Sequence, residues 1–431
     1  MSGQEGAARG LSAQRELWAD ASWRRWVLAV TCARLCATMM PFALLLAGEA
    51  ALGSFAAGAW MTSVYSVGAA VAAPFRGRMM DRRRLPEAMR LPLLLLAGLC
   101  AAVAVACAVR APLPVLLGLS LLMGVLPAGV FGAYRALLPS FLSPQKLAPA
   151  FAIDAVLIEV TWIAGPPLVG ALALVHVSLT LGIISAGAVL ATLASRLLPP
   201  REAPPASSPR AAGLALGPFV HGLPLLVYVA VVGAGVSWGA VDSALPPLLV
   251  QFGSRAEMWG ALAALLSAAS AVGGLVSASA ARPASTSAAV WRSLLFLGLW
   301  GALLLPLGLT RGVVGAGGWL IAAGFFLAPL VGLLTYLLQQ ALPADRQAEG
   351  FSLYGACWSL GIGAGSALTA VLLEHASARA ALALSGTVPL VLALVLALRV
   401  RPWLRAAASA PSPLNDARAR APGADAGASA P

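Results

Sequence analysis

Charge is scarce in this chain: only 10% of its 431 residues are Asp, Glu, Lys or Arg, against about a quarter in soluble domains. With 60% hydrophobic residues and a mean hydropathy of +0.87, that shortage excludes a water-soluble fold and implies an integral membrane protein. Lysine is nearly missing, Lys146 being the single lysine among 28 basic residues, and histidine occurs three times. Cysteine is sparse too. Cys32, Cys36, Cys100, Cys107 and Cys357 all lie in apolar runs without C-x-x-C spacing or a nearby histidine, so they read as packing residues, and no metal site, cofactor or disulfide is expected. No Walker glycine loop, H-E-x-x-H helix or Ser/His/Asp set is present, which argues against an ATP-driven pump and against an enzyme. A membrane enzyme acting on lipid would need acids or histidines clustered at one membrane face, and the sequence has no such cluster. Residues 1–25 are polar, carry Arg9, Arg15, Arg24 and Arg25, and lack the apolar core and cleavage site of a signal peptide. The net charge of +12 does not imply nucleic acid, because the basic residues are scattered between apolar runs instead of grouped with aromatics.

What is present is apolar length. A 30 Å hydrocarbon core takes roughly 20 helical residues, and twelve runs qualify: 26–47, 55–74, 91–109, 113–138, 150–172, 177–198, 223–250, 259–281, 289–309, 313–342, 350–373 and 380–400. The fourth, seventh and tenth are long and contain Pro127, Pro246-Pro247 and Pro329, which predicts tilt or kinking there. With the amino terminus in the cytoplasm, 23 basic residues fall on that side and four outside, Arg110, Arg255, Arg311 and Arg379, with Arg34 inside a span. The positive-inside rule therefore puts both termini in the cytoplasm. A Pro/Ser-rich stretch between the sixth and seventh spans reads as a solvated linker over 199–222, separating bundles at 26–198 and 223–400. An Ala/Pro-rich tail, 401–431, has too little apolar content to fold alone.

The halves echo one another. Ala150-Phe151 opens the fifth span and Gly350-Phe351 the eleventh; at the same offset Ala164-Gly165 matches Ala364-Gly365 and Leu168 matches Leu368. Gly58-Ala59 and Gly260-Ala261 form a weaker pair. The expected fold is thus all-α, with twelve transmembrane helices in two pseudo-symmetric six-helix bundles.

Ionisable residues inside spans are costly enough to be candidates for function. Arg34 in the first span and Glu159 in the fifth lie at similar depth, about 12 to 14 Å from the cytoplasmic ends, and are expected to meet as a pair or to serve substrate or coupling ion. A Glu159 that takes up a proton would suit a proton carrier. Asp154 faces a different neighbour, about 140° around the helix, and is expected to pair with Arg135 at the foot of the fourth span. Asp242 is the carboxylate the second half offers to a central cavity, with a solvated helix end as the alternative. Glu374 and His375 fit a solvated outer loop, and Trp60, Tyr65, Trp162, Trp238, Tyr336 and Trp358 either line an apolar cavity or pack against neighbours.

The turn after the second span reads Phe75-Arg76-Gly77-Arg78-Met79-Met80-Asp81-Arg82-Arg83-Arg84. Twelve spans, a central linker and this Gly-x-x-x-Asp-Arg turn resemble the major facilitator superfamily, and the drug-efflux-like bacterial members in particular. Gly77, Asp81 and Arg82 match the family's G-x-x-x-D-R/K-x-G-R-R/K turn, whereas Arg84, Leu85 and Pro86 depart from it. The resemblance implies a gating turn whose acid faces the amino-terminal end of the eleventh span. Gly165-Pro166-Pro167-Leu168-Val169-Gly170 is similar to the G-P-x-x-G-G element of the family's antiporters; glycine permits close packing and proline bends the span, so Gly165, Pro166 and Gly170 suit a hinge or seal. The R-x-x-Q-G element of proton-coupled exporters is absent, its frame holding Ser120-Leu121-Leu122-Met123-Gly124. The resemblance implies a secondary transporter in the plasma membrane that exports a small amphipathic or hydrophobic compound in exchange for protons. The partners expected are a small-molecule substrate, protons and the lipid bilayer, with the protein a monomer. Uptake of a metabolite, or a receptor or scaffold without transport, are the alternatives.

Overall fold

The computed structural model describes residues 16–81, 85–199, 219, 221–279, 283–342 and 346–409. Among them eleven helices are long and apolar enough to cross a membrane, and the shorter apolar helix Leu113–Val125 stands fourth in order, consistent with the expected twelve-helix, all-α fold. The first bundle comprises α1 (Ala21–Leu52), α2 (Phe55–Asp81), α3 (Leu85–Ala108), α4 (Leu113–Val125), α5 (Val130–Phe141), α6 (Pro144–Ala173) and α7 (Val177–Arg196). The second comprises α8 (Gly222–Gln251), α9 (Met258–Ser279), α10 (Thr286–Leu304), α11 (Val313–Ala341), α12 (Gln347–His375) and α13 (Ala378–Ser409). Most of the expected linker and all of the tail from 410 on lie outside the described residues.

Local chemistry sets several helix ends. Asp20 caps α1, its carboxylate accepting from the Ser22 and Trp23 amides, and Gly53 ends it at φ +66°, where its own amide bonds to the Glu49 carbonyl. The run expected at 113–138 is two helices. Pro127 supplies no N–H to continue the ladder, Gly129 adopts φ +86°, and Arg76 of α2 donates to the freed Leu126 carbonyl at 2.7 Å. Pro246-Pro247 and Pro329, by contrast, are accommodated inside unbroken α8 and α11.

The two bundles repeat one packing plan. In the first, α1 lies against α6 and α7, α3 against α7, and α2 against α4; in the second, α8 lies against α12 and α13, α10 against α13, and α9 against α11. Equivalent glycines make the equivalent contacts. A Cβ at Gly124 would overlap the Tyr65 carbonyl of α2, and one at Gly324 would lie 2.5 Å from the Leu266 carbonyl of α9. Gly165 is pressed on Thr38 of α1, and Gly365 on Val236 of α8. Lipid tails are as apolar as leucine, so such close backbone approach, with its dispersion contacts, is a main source of helix adhesion here.

The halves touch along two seams, α2 with α12 and α6 with α9. One end of the molecule, the arginine-rich end, carries the start of α1, the end of α2 and the start of α3. At the far end a single apolar cluster runs through both halves, from Met39–Met40 of α1 to Trp238, Leu248 and Trp259. Toward the arginine-rich end the core divides into two clusters, one around Trp23, Trp26 and Tyr134, the other around Phe219, Val227 and Leu337. There α5 packs on α1, α2, α3 and α6, and α11 on α8, α9, α10 and α12, each within its own half. The molecule is closed at the far end and parted at the arginine-rich end.

Candidate functional site: the passage between the halves

An ion cluster joins three helices of the first half. Asp154 of α6 is fully buried, with Oδ1 2.6 Å from Arg34 Nη1 of α1 and Oδ2 accepting from Arg135 Nε of α5 at 2.6 Å. Arg34, 6% exposed, also donates to the Asp154 main-chain carbonyl at 3.3 Å. The Arg135 side chain is 45% exposed, so this cluster reaches the surface of its half. Burying two charges is tolerable only with close partners, and Asp154 supplies one for each guanidinium.

The expected Arg34–Glu159 pair is therefore not formed. Depth along the helices is compatible with it, but direction is not: Asp154, Thr161 and Gly165 lie on the α6 face that meets α1, where Thr38 Oγ1 donates to the Thr161 carbonyl at 3.0 Å. Glu159 points about 140° away from Asp154. It is exposed and has neither an ion pair nor a hydrogen bond among the described residues.

One turn farther from the arginine-rich end, Trp162 meets Trp238 of α8 edge to face, with ring centroids 5.7 Å apart and planes at 80°. This aromatic contact bridges the halves. One turn beyond Trp238 on the same face is Asp242, 4% exposed, whose Oδ1 accepts from Trp259 Nε1 of α9 at 2.7 Å while Oδ2 has no partner among the described residues. Asp242 thus faces neither solvent nor an open cavity, because the first turn of α9 covers it with Trp259.

The Gly165–Gly170 segment also lies at the seam. The Pro166 carbonyl and Gly170 abut Gly260 of α9, and Gly170 abuts the Glu257 carbonyl, backbone against backbone. Gly260 and Gly58 are not equivalent in the structure, since Gly58 packs on Leu45 of α1 within its own half. At the far mouth Trp60 Nε1 of α2 donates to Glu374 Oε1 of α12 at 3.1 Å, so Glu374 is a contact between the halves and not only a loop residue. Of the polar turn, Gly77 and Asp81 fall in α2, while the Asp81 side chain and Arg82 lie outside the described residues.

The Trp162–Trp238 and Asp242–Trp259 contacts are not among those expected from the sequence. A signal for them existed: Trp162 stands three residues after Glu159 and Trp238 four before Asp242, spacings that put each acid and its tryptophan on one helix face.

Two like-built helical halves, joined at one end and parted at the other, are the architecture of a membrane transporter. Residues 26–365 match the model of the Major Facilitator Superfamily, and the chain belongs to that family of secondary transporters. No curated protein matches the chain at a significant level. Among solved structures it is similar to the POT family transporter PepTSo, with 10% identity over 89% of this chain and 98% of that one and a TM-score of 0.69. It is also similar to a bacterial homologue of the human lysosomal transporter Spinster, solved inward-facing and occupied, with 16% identity, coverage of 91% and 98%, and a TM-score of 0.66. The human organic anion transporter MFSD10 (TETRAN) aligns at 20% identity, coverage of 88% and 100%, and a TM-score of 0.59. At these identities the likeness is one of fold.

Proposed function

We propose that the chain exports small amphipathic or hydrophobic compounds across the plasma membrane in exchange for protons, with both termini in the cytoplasm and the protein acting as a monomer. The orientation follows from the 23 basic residues on one side, so the parted end opens to the cytoplasm, where an export substrate is loaded. The observation that carries the reading is Glu159, an exposed acid with no counter-ion among the described residues, one turn from an aromatic contact between the halves. A carboxyl group there can take up a proton when the outer side opens and release it inward. Gly77, Asp81 and Arg82 would hold the cytoplasmic ends together in the opposite state, Asp81 facing the amino-terminal end of α12.

The test is flux of a fluorescent amphipath in proteoliposomes with an imposed pH gradient. Export requires substrate and proton to move in opposite directions, and Glu159→Gln should abolish the response to the gradient. Flux of both in the same direction would instead mark uptake, and flux indifferent to the gradient would remove proton coupling.

A further inference from the structure

Beside the α2–α12 seam, α2 and α4 leave a groove of about 430 Å³ in the flank of the first half. Its walls include Val71, Ala72 and Phe75 of α2 and Leu121 and Val125 of α4, and Arg76 stands at its end toward the arginine-rich side. Apart from that arginine, every residue lining it is apolar. The local sequence explains the hollow. Gly68 lets α2 approach α4 so closely that a Cβ there would lie 2.9 Å from Leu121 Cδ1 and 3.3 Å from Val125 Cγ2. One turn on, Ala72 fills the space with only a methyl group, and α4 stops at Val125, leaving Phe75 62% exposed.

Exposure and depth together say what covers this surface. Val71 is 60% exposed and Leu121 42%, and a face so apolar and so open meets hydrocarbon in a bilayer. The apolar span of α2 runs from Phe55 to Arg76, 22 residues or about 33 Å of helix, so Arg76 stands where hydrocarbon gives way to headgroups. From Val67 to Arg76 the groove follows α2 for about 13.5 Å. An apolar trough with a guanidinium at its headgroup end is complementary to an acyl chain and the phosphate it hangs from. Charge at that end is one-sided, since residues 76–84 hold Arg76, Arg78, Arg82, Arg83 and Arg84 against the single acid Asp81. Arg76 donates to the Leu126 carbonyl at 2.7 Å, and a guanidinium carries five N–H donors, enough to keep that carbonyl and engage a phosphate oxygen.

We infer that this groove is a binding site for one anionic phospholipid of the leaflet at the arginine-rich end, with an acyl chain between α2 and α4 and the phosphate on Arg76. The same guanidinium caps the break between α4 and α5, and Val67, at the other end of the groove, abuts Gly363 of α12. The lipid therefore touches both the break and the seam. The site depends on no reading of substrate or direction of transport.

Native mass spectrometry of delipidated protein in detergent, titrated with phosphatidylglycerol or with phosphatidylcholine of identical chains, tests the site. One equivalent of phosphatidylglycerol should bind at least tenfold more tightly than phosphatidylcholine. Arg76→Gln should reduce that preference about fivefold, which corresponds to about 1 kcal/mol for one basic residue near an anionic headgroup, and Arg76→Lys should keep it. Ala72→Phe, which fills the groove, should weaken phosphatidylglycerol binding at least tenfold, whereas Val105→Phe on the exposed flank of α3 should not. Glycerol phosphate, which has the anion without the chain, should not compete. Equal affinity for the two lipids, an unchanged preference in Arg76→Gln, equal effects of Ala72→Phe and Val105→Phe, or displacement by glycerol phosphate would each overturn the inference. Ala72→Phe leaves Arg76 and its bond to Leu126 in place, so the groove is tested even where Arg76→Gln fails to fold.

Discussion

The Trp60 indole hydrogen-bonds to Glu374 across 3.1 Å, linking α2 to α12 at the far mouth although 314 residues separate them in the chain. The bond exists only while that mouth is closed, so it biases the resting equilibrium toward the state described. A hydrogen bond to a charged group is worth about 1.5 to 3 kcal/mol, and solvent competition at this exposed mouth reduces it to about 0.5 to 1 kcal/mol. Trp60→Phe or Glu374→Ala should therefore raise the population open at the far end about two- to fivefold, while Glu374→Gln, which keeps an acceptor oxygen, should change it less. Spin-label distances across the far mouth would measure this. Equal populations in all four proteins would show that the contact carries no conformational weight.

Asp154 is the only acid in contact with Arg34 among the described residues. Asp154→Asn would leave a buried guanidinium uncompensated, a change that costs about 3 to 5 kcal/mol where a buried pair is broken. Arg135→Ala should cost much less, about 1 kcal/mol, since its side chain is half in solvent and Arg34 remains to hold the acid. Thermal unfolding in detergent should rank the variants in that order. The double variant Arg34→Met/Asp154→Leu should recover much of the loss, because both charges leave together.

The repeat predicts paired packing defects. Gly124→Ala and Gly324→Ala each drive a methyl group into a neighbouring carbonyl, of Tyr65 and of Leu266. Overpacking of this kind costs about 1 to 3 kcal/mol. Gly118→Ala and Gly332→Ala, on the same helices, meet nothing within 4 Å and should leave stability unchanged or slightly improved. Unfolding temperatures of the four proteins provide an internally controlled comparison.

The parts of this fold legible in the sequence are those fixed by bilayer thickness and by the duplication. Span positions follow from apolar length, and the Gly165–Gly365 correspondence follows from a constant offset. The break in the fourth run was half visible: Pro127 marks the place, but a glycine in a span usually means close packing, and nothing local distinguishes Gly129, which instead turns the chain at φ +86°. Pairing inside the membrane was less legible because depth and direction are separate coordinates. Arg34 and Glu159 share a depth, yet α1 lies on the Asp154 side of α6, a fact of tertiary packing. Trp60 and Glu374 meet because α2 and α12 converge at the far end, which no periodicity within either helix records.

Asp242 offers a way to separate structure from function at one residue. Its Oδ1 accepts the Trp259 indole and its Oδ2 has no partner among the described residues, so Asp242→Asn can keep the oxygen that is used while removing a buried charge. That substitution should leave stability within about 1 kcal/mol of wild type or raise it, because the asparagine amide costs less to bury than half of a carboxylate. Trp259→Phe acts in the opposite sense, orphaning the second oxygen as well, and should destabilise by about 1 to 3 kcal/mol. If Asp242 serves only packing, Asp242→Asn will transport like wild type. If it is the acid on the outer side of the tryptophan pair, a well-folded Asp242→Asn protein will bind substrate from the arginine-rich side but lose at least tenfold in gradient-driven flux. Measuring unfolding temperature, equilibrium binding and flux on the same preparations decides between the two.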